Sequence, residues 1–232
     1  MNHSLHHHAV LDIPILYEDN HLLVVNKPAE LPTMGLQDES ETLLGQCKQI
    51  IRQKYNKPGN VFLGVVSRLD ARVTGVIVIA RTSKAAKRLT DAFRNRDVEK
   101  HYWALTEVSP SPKNGTMEDY LVSDSRHRRV HVAKSENTDG AKHAVLDYQL
   151  IEDYRNASLV QIDLKTGRKH QIRIQFSSRN MPLIGDYKYG SELKLSNGIG
   201  LHSRHLAFEH PVRKIPMEFT VDTPKPWNAY LS

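Results

Sequence analysis

The sequence has little that would crosslink the chain or anchor it in a membrane. It contains one cysteine, Cys47, in 232 residues, which excludes an intramolecular disulfide. Cys47 lies at helical spacing with Leu43, Leu44, Ile50 and Ile51, so we expect a buried core thiol rather than a reactive one. No apolar run is long enough to span a bilayer, and the N-terminus lacks the apolar stretch of a secretory signal. These absences predict a cytoplasmic protein.

Histidine is plentiful, but the spacing of a metal site is missing. Of the 13 histidines, His3, His6, His7 and His8 lie near the N-terminus. We predict that residues 1–12 are disordered, and a remnant of an expression tag would explain their composition. The other histidines lack the ligand-like clustering with cysteines or carboxylates that a metal site requires, so we expect no metal.

The apolar pattern predicts many strands and few helices. The predicted strands cover residues 15–17, 22–25, 61–66, 76–80, 99–108, 128–133, 143–151, 157–165, 204–209 and 215–221. The predicted helices cover residues 40–56, residues 83–94 and the segment around Ile172 and Phe176. Because the elements do not alternate regularly, we expect an α+β fold with a largely antiparallel sheet.

A carboxylate flanked by arginines follows one of these apolar runs. Arg68, Asp70 and Arg72 lie between residues 61–66 and 76–80, both of which are predicted to be buried strands. A nearby guanidinium favours the ionised form of a carboxyl group, and apolar surroundings strengthen the pairing. We interpret Asp70 as a catalytic group, and the alternative is a structural aspartate paired with Arg72 or Arg173.

A second polar cluster lies where the third predicted helix begins. Residues 164–173 (LKTGRKHQIR) place three cations at that point, where the helix dipole disfavours positive charge. The placement therefore calls for a nearby anion, which is Asp70, an RNA phosphate or both. The net charge of +6 also favours a polyanionic partner.

The two polar clusters, together with several other short segments, resemble motifs of the RluA-type pseudouridine synthases. The matching segments appear in family order: residues 68–70 (RLD) with 74–75 (TG), 99–104 (EKHYWA), 166–173 (TGRKHQIR), 182–190 (PLIGDYKYG), and 201–202 (LH) with 210–211 (HP). Three positions depart from the family pattern. Ser67 stands where the family usually has His, Gly75 follows Thr74 without the usual Ser between them, and Glu30 replaces the usual Gly after Lys-Pro-Ala.

The resemblance implies one catalytic domain over residues 13–232, built on a mixed, mostly antiparallel central sheet with flanking helices and an RNA-binding cleft. The matched region begins near residue 15, so we expect no N-terminal S4 module and a catalytic domain that selects its RNA alone. The implied reaction needs no cofactor, because it neither oxidises, reduces nor hydrolyses its substrate. We also expect a monomer without an obligate protein partner.

The resemblance also implies roles for individual residues. Asp70 would attack the ribose or remove a proton from it, with Arg173 as its basic partner. Tyr102 would stack on the target uracil, and Arg68 would fill the gap that the uridine leaves. Leu201 would supply an apolar wall. Alternative interpretations are a core tyrosine for Tyr102 and a salt bridge to a carboxylate for Arg68.

Further cations are expected to contact the RNA. We predict substrate contacts for Lys100, which shares a strand face with Tyr102, and for Arg168, Lys169 and His170. The densest cationic stretch runs from Arg126 to Lys134, and it is either a solvated strand face or a phosphate-binding surface. Within this stretch we favour phosphate contacts at Arg128 and Arg129.

We therefore predict an RNA pseudouridine synthase that acts on structured RNA, with ribosomal RNA as the first choice and transfer RNA as the second. One alternative is an RNA-binding or RNA-folding module without catalysis, against which Asp70, Tyr102 and Arg173 argue. Another is a metal-dependent hydrolase. Such an enzyme would require more carboxylates near Asp70 than the sequence offers.

Overall fold

The structure is a computed structural model that describes residues 12–56, 58–124, 126–127 and 129–232. The strands are β1 (Ile15–Glu18), β2 (Leu22–Lys27), β3 (Gly64–Val65), β4 (Thr74–Ala80), β5 (Glu99–Thr106), β6 (Asn114–Asp124), β7 (Arg129–Val132), β8 (Lys142–Tyr154), β9 (Ala157–Leu164), β10 (Leu201–Glu209) and β11 (Pro216–Thr220). The α-helices are α1 (Leu43–Lys54), α2 (Ser83–Asn95) and α3 (Gln171–Ser177). Within the described ranges, no helix is long and apolar enough to cross a membrane.

All strands belong to one sheet of mixed direction. Its order is β1-β2-β4-β10-β5-β9-β8-β6-β7, with β3 paired to β4 and β11 paired to β10. β4 and β10 are parallel neighbours, whereas the other pairings are antiparallel. The predicted α+β class with a mixed, mostly antiparallel sheet is confirmed.

The centre of the sheet is covered on both faces. Along β4, Ile77 packs into the same core as Leu43 of α1, whereas Val78 packs into the core that holds Leu89 of α2. Successive side chains of a strand point to opposite faces, so a strand covered on both sides is apolar throughout. Cys47 lies in the α1 core as predicted, and burial raises the pKa of its thiol to about 12.

Helix α2 begins where the sequence predicts. The Thr82 hydroxyl accepts a hydrogen bond from the Ala85 N–H at 3.2 Å, as an N-cap residue does. The helix buries Ala85 and Leu89 and ends at Asn95, and the residue that follows, Arg96, has left-handed backbone.

One strand prediction was wrong, and one strand was not predicted. Residues 61–66 do not form a buried strand, because Phe62 is 52% exposed and only Gly64–Val65 pair with β4. The sequence pattern also missed β6, in which Met117 and Leu121 are the buried residues. Two buried residues four positions apart do not show the period of two by which a strand is recognised.

The third helix is shorter than its sequence pattern suggested. It begins at Gln171, so Arg168 and Lys169 precede it rather than forming its first turn. Of the predicted disordered segment, residues 1–12, only Asp12 lies among the described residues. Arg128 also lies outside them. The single domain over residues 13–232 stays a prediction.

Candidate active site

A cleft of about 370 Å³ opens between the loop before β4, the strands β5 and β10, and the start of α3. Most of the residues selected from the sequence line this cleft: Arg68, Asp70, Lys100, Tyr102, Arg168, His170, Arg173 and Leu201. Lys169 lines an adjoining groove. Arg129 lies outside both, on β7. The fold therefore brings the two polar clusters of the sequence together across about 100 residues of chain.

Gly75 allows the cleft to form by letting β10 approach β4. Its φ is +114°, and a Cβ at this position would lie 2.2 Å from the carbonyl oxygen of Ser203. Any residue with a side chain would push the two strands apart. The close parallel pairing places Leu201 and Ser203 in the wall of the cleft.

Asp70 shares the guanidinium of Arg173 with a second carboxylate, that of Asp186. Arg173 Nη1 donates to Asp70 Oδ2 at 2.9 Å. Its Nε and Nη2 donate to the two carboxylate oxygens of Asp186 at 2.6 and 2.7 Å. The Asp186 side chain is 0% exposed, the Arg173 side chain is 7% exposed, and the Asp70 side chain is 30% exposed. Asp70 is thus the carboxylate of this network that solvent or a substrate can reach.

Asp186 compensates the burial of Arg173. Burial alone would lower the pKa of the guanidinium, but the hydrogen bonds and charge of Asp186, joined by Asp70, raise it. Arg173 therefore stays charged and fixed beside Asp70. Sequence reasoning gave Asp186 no role, although it lies in the family-like segment 182–190.

A polar turn presents Arg173 to the cleft. The Gln171 side-chain oxygen accepts hydrogen bonds from the Arg168 N–H at 3.0 Å and from the Thr166 hydroxyl at 2.8 Å. These bonds close the turn before α3, where His170 adopts left-handed backbone with a φ of +53°. The cationic residues Arg168 and Lys169 remain exposed on this turn.

His170 is a largely buried, neutral neighbour of Asp70. Its Nε2 lies 3.7 Å from Asp70 Oδ2, and its Nδ1 lies 2.7 Å from the hydroxyl of Tyr189. Burial lowers the pKa of His170 to about 4, with Arg173 acting in the same direction and Asp70 opposing it. At neutral pH the imidazole is therefore uncharged. If Tyr189 donates to Nδ1, the remaining proton lies on Nε2 and faces Asp70.

Tyr102 and Lys100 face the cleft from β5, while His101 and Trp103 point to the opposite side of the strand. Burial raises the pKa of Tyr102 to about 12, against the effect of its hydrogen bond with Ser203. Burial also lowers the pKa of Lys100, whose ammonium lies 5.9 Å from the centre of the Phe93 ring. Because its pKa is raised, the phenol of Tyr102 stays neutral at physiological pH.

Arg68 and Arg72 flank Asp70 but point to different surroundings. Arg68 is exposed and lines the cleft, and it forms no ion pair with any carboxylate in the described part of the chain. Arg72 pairs with Glu30 at 3.0 Å and donates to the carbonyls of Gly185 at 2.9 Å and Gly198 at 2.6 Å. Asp70 therefore pairs with Arg173 and not with Arg72.

Lys27 also fixes the loop that carries Asp70 through hydrogen bonds to backbone carbonyls. This buried ammonium donates to the carbonyl oxygens of Pro28, Leu31 and Ala71 at 2.7, 2.8 and 3.0 Å. Burial lowers the pKa of Lys27 to about 7, while Asp70 and Glu30 oppose this shift. Glu30 has left-handed backbone with a φ of +58°, which explains why a glycine suits the position in the family.

Positive charge extends beyond the cleft in two directions. A second groove adjoins the cleft, distinct from the one that Lys169 lines. Its cationic lining residues are Arg94, Arg96, Lys100, Lys165 and Arg168. On the other side, the pKa of Lys188 is lowered, first by burial and then by the charges of Arg173, Lys169 and Arg129. Arg129 therefore lies in the same electropositive region as Lys169. Arg94, Arg96 and Lys165 were not selected from the sequence, because single exposed cations carry no pattern.

The cleft and the two grooves contain one carboxylate among their described lining residues, and it is Asp70. Hydrolysis of a glycosidic bond generally uses two carboxylates, and divalent-metal chemistry needs several oxygen ligands. The cleft offers neither. It offers one carboxylate, an aromatic ring and cations, which together suit a reaction at the sugar of a nucleotide that remains bound.

Comparison with known proteins identifies the family of the chain. A model of the RNA pseudouridylate synthase family matches residues 21–178. An uncharacterized RNA pseudouridine synthase of Mycobacterium bovis is 35% identical over 203 residues, which are 85% of this chain and 65% of that protein. The ribosomal large subunit pseudouridine synthase D of Zymomonas mobilis is 33% identical over 234 residues, which are 94% of this chain and 72% of that protein.

A solved structure of an RNA pseudouridylate synthase domain is also similar to this chain. Human RNA pseudouridylate synthase domain containing 4 is 26% identical, with a TM-score of 0.75 over 91% of this chain and 89% of that one. The chain belongs to the RNA pseudouridylate synthase family. The resemblance drawn from the sequence motifs is confirmed. The chain spans about two thirds of the length of the Mycobacterium relative.

Proposed function

We propose that this protein converts uridine to pseudouridine in ribosomal RNA and that Asp70 is the residue that acts on the ribose. The reaction breaks the bond between uracil N1 and ribose C1′ and forms a bond between C5 and C1′. N1 gains a proton and C5 loses one to solvent, so no oxidant, reductant or water is consumed.

The observation that carries the proposal is the pairing of Asp70 with a buried, charge-balanced arginine. Asp70 Oδ2 accepts from Arg173, whereas no described residue hydrogen-bonds Oδ1. One carboxylate oxygen is thus fixed and the other is available to a ribose in the cleft. Preorganised groups of this kind need no rearrangement at the moment of reaction.

The other cleft residues support the handling of a flipped nucleotide. The Tyr102 ring can stack on the uracil, since every base offers a π-face, and Leu201 supplies an apolar wall beside it. The exposed Arg68 can occupy the place that the uridine leaves in the RNA. Lys100, Arg168 and Lys169 line the cleft and its adjoining groove, which supports a role in neutralising the flanking phosphates.

Ribosomal RNA is the substrate we favour because several relatives over 30% identical are named ribosomal large subunit pseudouridine synthase D. Mapping pseudouridines across total RNA, with and without the gene, tests this choice. We expect loss of one or more pseudouridines from large-subunit ribosomal RNA. A loss confined to transfer RNA would overturn the substrate and leave the chemistry intact.

The catalytic role of Asp70 is tested by Asp70→Asn. We expect no detectable release of tritium from RNA that contains 5-tritiated uridine, with RNA affinity and the unfolding midpoint close to wild type. Asp222→Asn is the matched control, because Asp222 is fully exposed and pairs only with Arg204 among the described residues. Turnover by Asp70→Asn at the wild-type rate would refute the assignment.

A further inference from the structure

A cluster of two histidines and three carboxylates crosses the sheet outside the cleft. The residues lie on four adjacent strands: Glu218 on β11, His205 on β10, Glu99 and His101 on β5, and Asp163 on β9. His205 and His101 are direct cross-strand partners, and their ring centres are 5.1 Å apart. On β5 the cluster shares a strand face with Trp103, opposite to the face that holds Lys100 and Tyr102.

Both imidazoles present the same nitrogen to Glu99. His101 Nε2 lies 2.7 Å from Glu99 Oε1, and His205 Nε2 lies 4.0 Å from the same oxygen. At a tetrahedral zinc ion with ordinary Zn–N and Zn–O bond lengths, two ligand atoms lie about 3.3 Å apart. This separation falls between the two Nε2–Oε1 distances observed here. One ligand atom from each of the three residues lies within 4.8 Å of the others.

The second nitrogen of each imidazole is held by a different partner. His101 Nδ1 is hydrogen-bonded to the carboxylate of Asp163, and His205 Nδ1 lies 3.0 Å from the hydroxyl of Thr220. In metal sites a ligating histidine typically gives its other ring nitrogen to a carboxylate or another acceptor, which fixes the tautomer and the ring orientation. With these partners on Nδ1, the Nε2 atoms of both imidazoles face Glu99.

We propose that Glu99, His101 and His205 bind a divalent transition metal ion of the zinc class, with Asp163 and Thr220 orienting the two imidazoles. Imidazole and carboxylate ligands suit Zn²⁺, and three protein ligands leave a fourth position for water. The Glu99 side chain is 62% exposed and the His205 side chain 14% exposed, so the ion can enter from solvent. Bound there, it would clamp β5 to β10, the two strands that carry Tyr102 and Ser203.

Zinc titration of the full chain by calorimetry tests the site. His3, His6, His7 and His8 could bind zinc independently, so the titrations use a background in which these four residues are glutamine. We expect one equivalent of Zn²⁺ to bind in this background and no binding in Glu99→Gln. Because Glu99 is exposed, this substitution leaves the fold intact. His143→Gln is the control, since His143 pairs with Glu118 but has no second imidazole nearby among the described residues.

Asp163→Asn separates a metal site from a simple ion-pair cluster. It keeps all three ligands but replaces the carboxylate at His101 Nδ1 with a neutral amide, so we expect zinc affinity to fall about 10–100-fold with unchanged stoichiometry. Zinc should also raise the thermal midpoint of the parent protein but not that of Glu99→Gln. Equal zinc binding by the parent protein and Glu99→Gln, or no zinc binding by the parent, would overturn the proposal.

Discussion

Two charged clusters lie on opposite sides of strand β5, and they differ in how their charge is balanced. Arg173 in the cleft is buried between Asp70 and Asp186, and its guanidinium donates to both. On the other face, His101 and His205 lie among exposed carboxylates. In the buried cluster the charge of Arg173 is balanced by the two aspartates, and their hydrogen bonds fix its position. In the exposed cluster the imidazole nitrogens can release protons and bind a metal ion instead. The fixed geometry of the buried cluster supports the proposed role of Asp70.

The comparison predicts its largest effect at Asp186. We expect Asp186→Asn to destabilise the protein by about 3 kcal/mol, because a buried arginine loses most of its compensating charge. The same change at Asp163, in the exposed cluster, should cost less than about 1 kcal/mol in metal-free protein. Urea unfolding measures both, and equal losses would show that the clusters do not differ as described.

A smaller effect is expected when charge is kept but geometry is changed. Arg173→Lys retains a cation but cannot donate in parallel to Asp186 while reaching Asp70. We expect kcat to fall about a hundredfold, as a displaced catalytic group typically causes. Arg179→Lys is the control, because Arg179 pairs with Asp119 at the end of α3, away from the cleft. Wild-type kcat in Arg173→Lys would mean that the fork geometry is unnecessary.

The cleft should also lose stability in acid through His170. Its pKa in the folded protein is about 4, below the ordinary value of 6.5, so the unfolded chain binds the proton more readily between these values. Stability therefore falls as pH drops from about 6.5 to 4, by an amount on the order of 2 kcal/mol. The groups facing the ring are Asp70, Arg173, Lys169, Lys188 and Tyr189. Urea unfolding of His170→Gln at pH 7 and 4.5 should show a shallower loss than wild type, and identical losses would contradict this.

The smallest effect is expected from the exposed cations around the cleft. Replacing Lys169 and Arg129 by alanine should weaken RNA binding and flatten its salt dependence by about 0.7–0.9 in log–log slope for each phosphate that is no longer neutralised. Lys84→Ala with Lys87→Ala on α2 removes the same charge at a distance and should leave the slope unchanged. An unchanged slope in the first double variant would make Lys169 and Arg129 solvated surface residues.

Sequence patterns predicted the parts of this molecule that depend on local repetition. The apolar runs of β2 and β4 and the cap at Thr82 follow from period and residue type, and the ordered motifs identified the family. Burial of Asp186 could not be predicted, because its partner Arg173 is reached only when the loop after α3 folds back. The pairing of His101 with His205 could not be predicted either, since they lie 104 positions apart in the sequence and only sheet register makes them neighbours.

The contacts of Arg72 bear on which partner changes conformation in the proposed reaction, the protein or the RNA. It joins the segment next to Asp70 to the carbonyls of Gly185 and Gly198, so the segments bearing Asp70 and Asp186 are tied together even without Arg173. These bonds join the walls of the cleft without a bound substrate. In the proposed reaction the RNA is therefore the partner that deforms, because its uridine must unstack at a cost of a few kcal/mol. Selection among uridines would follow how easily each one leaves its helix, as much as which bases surround it.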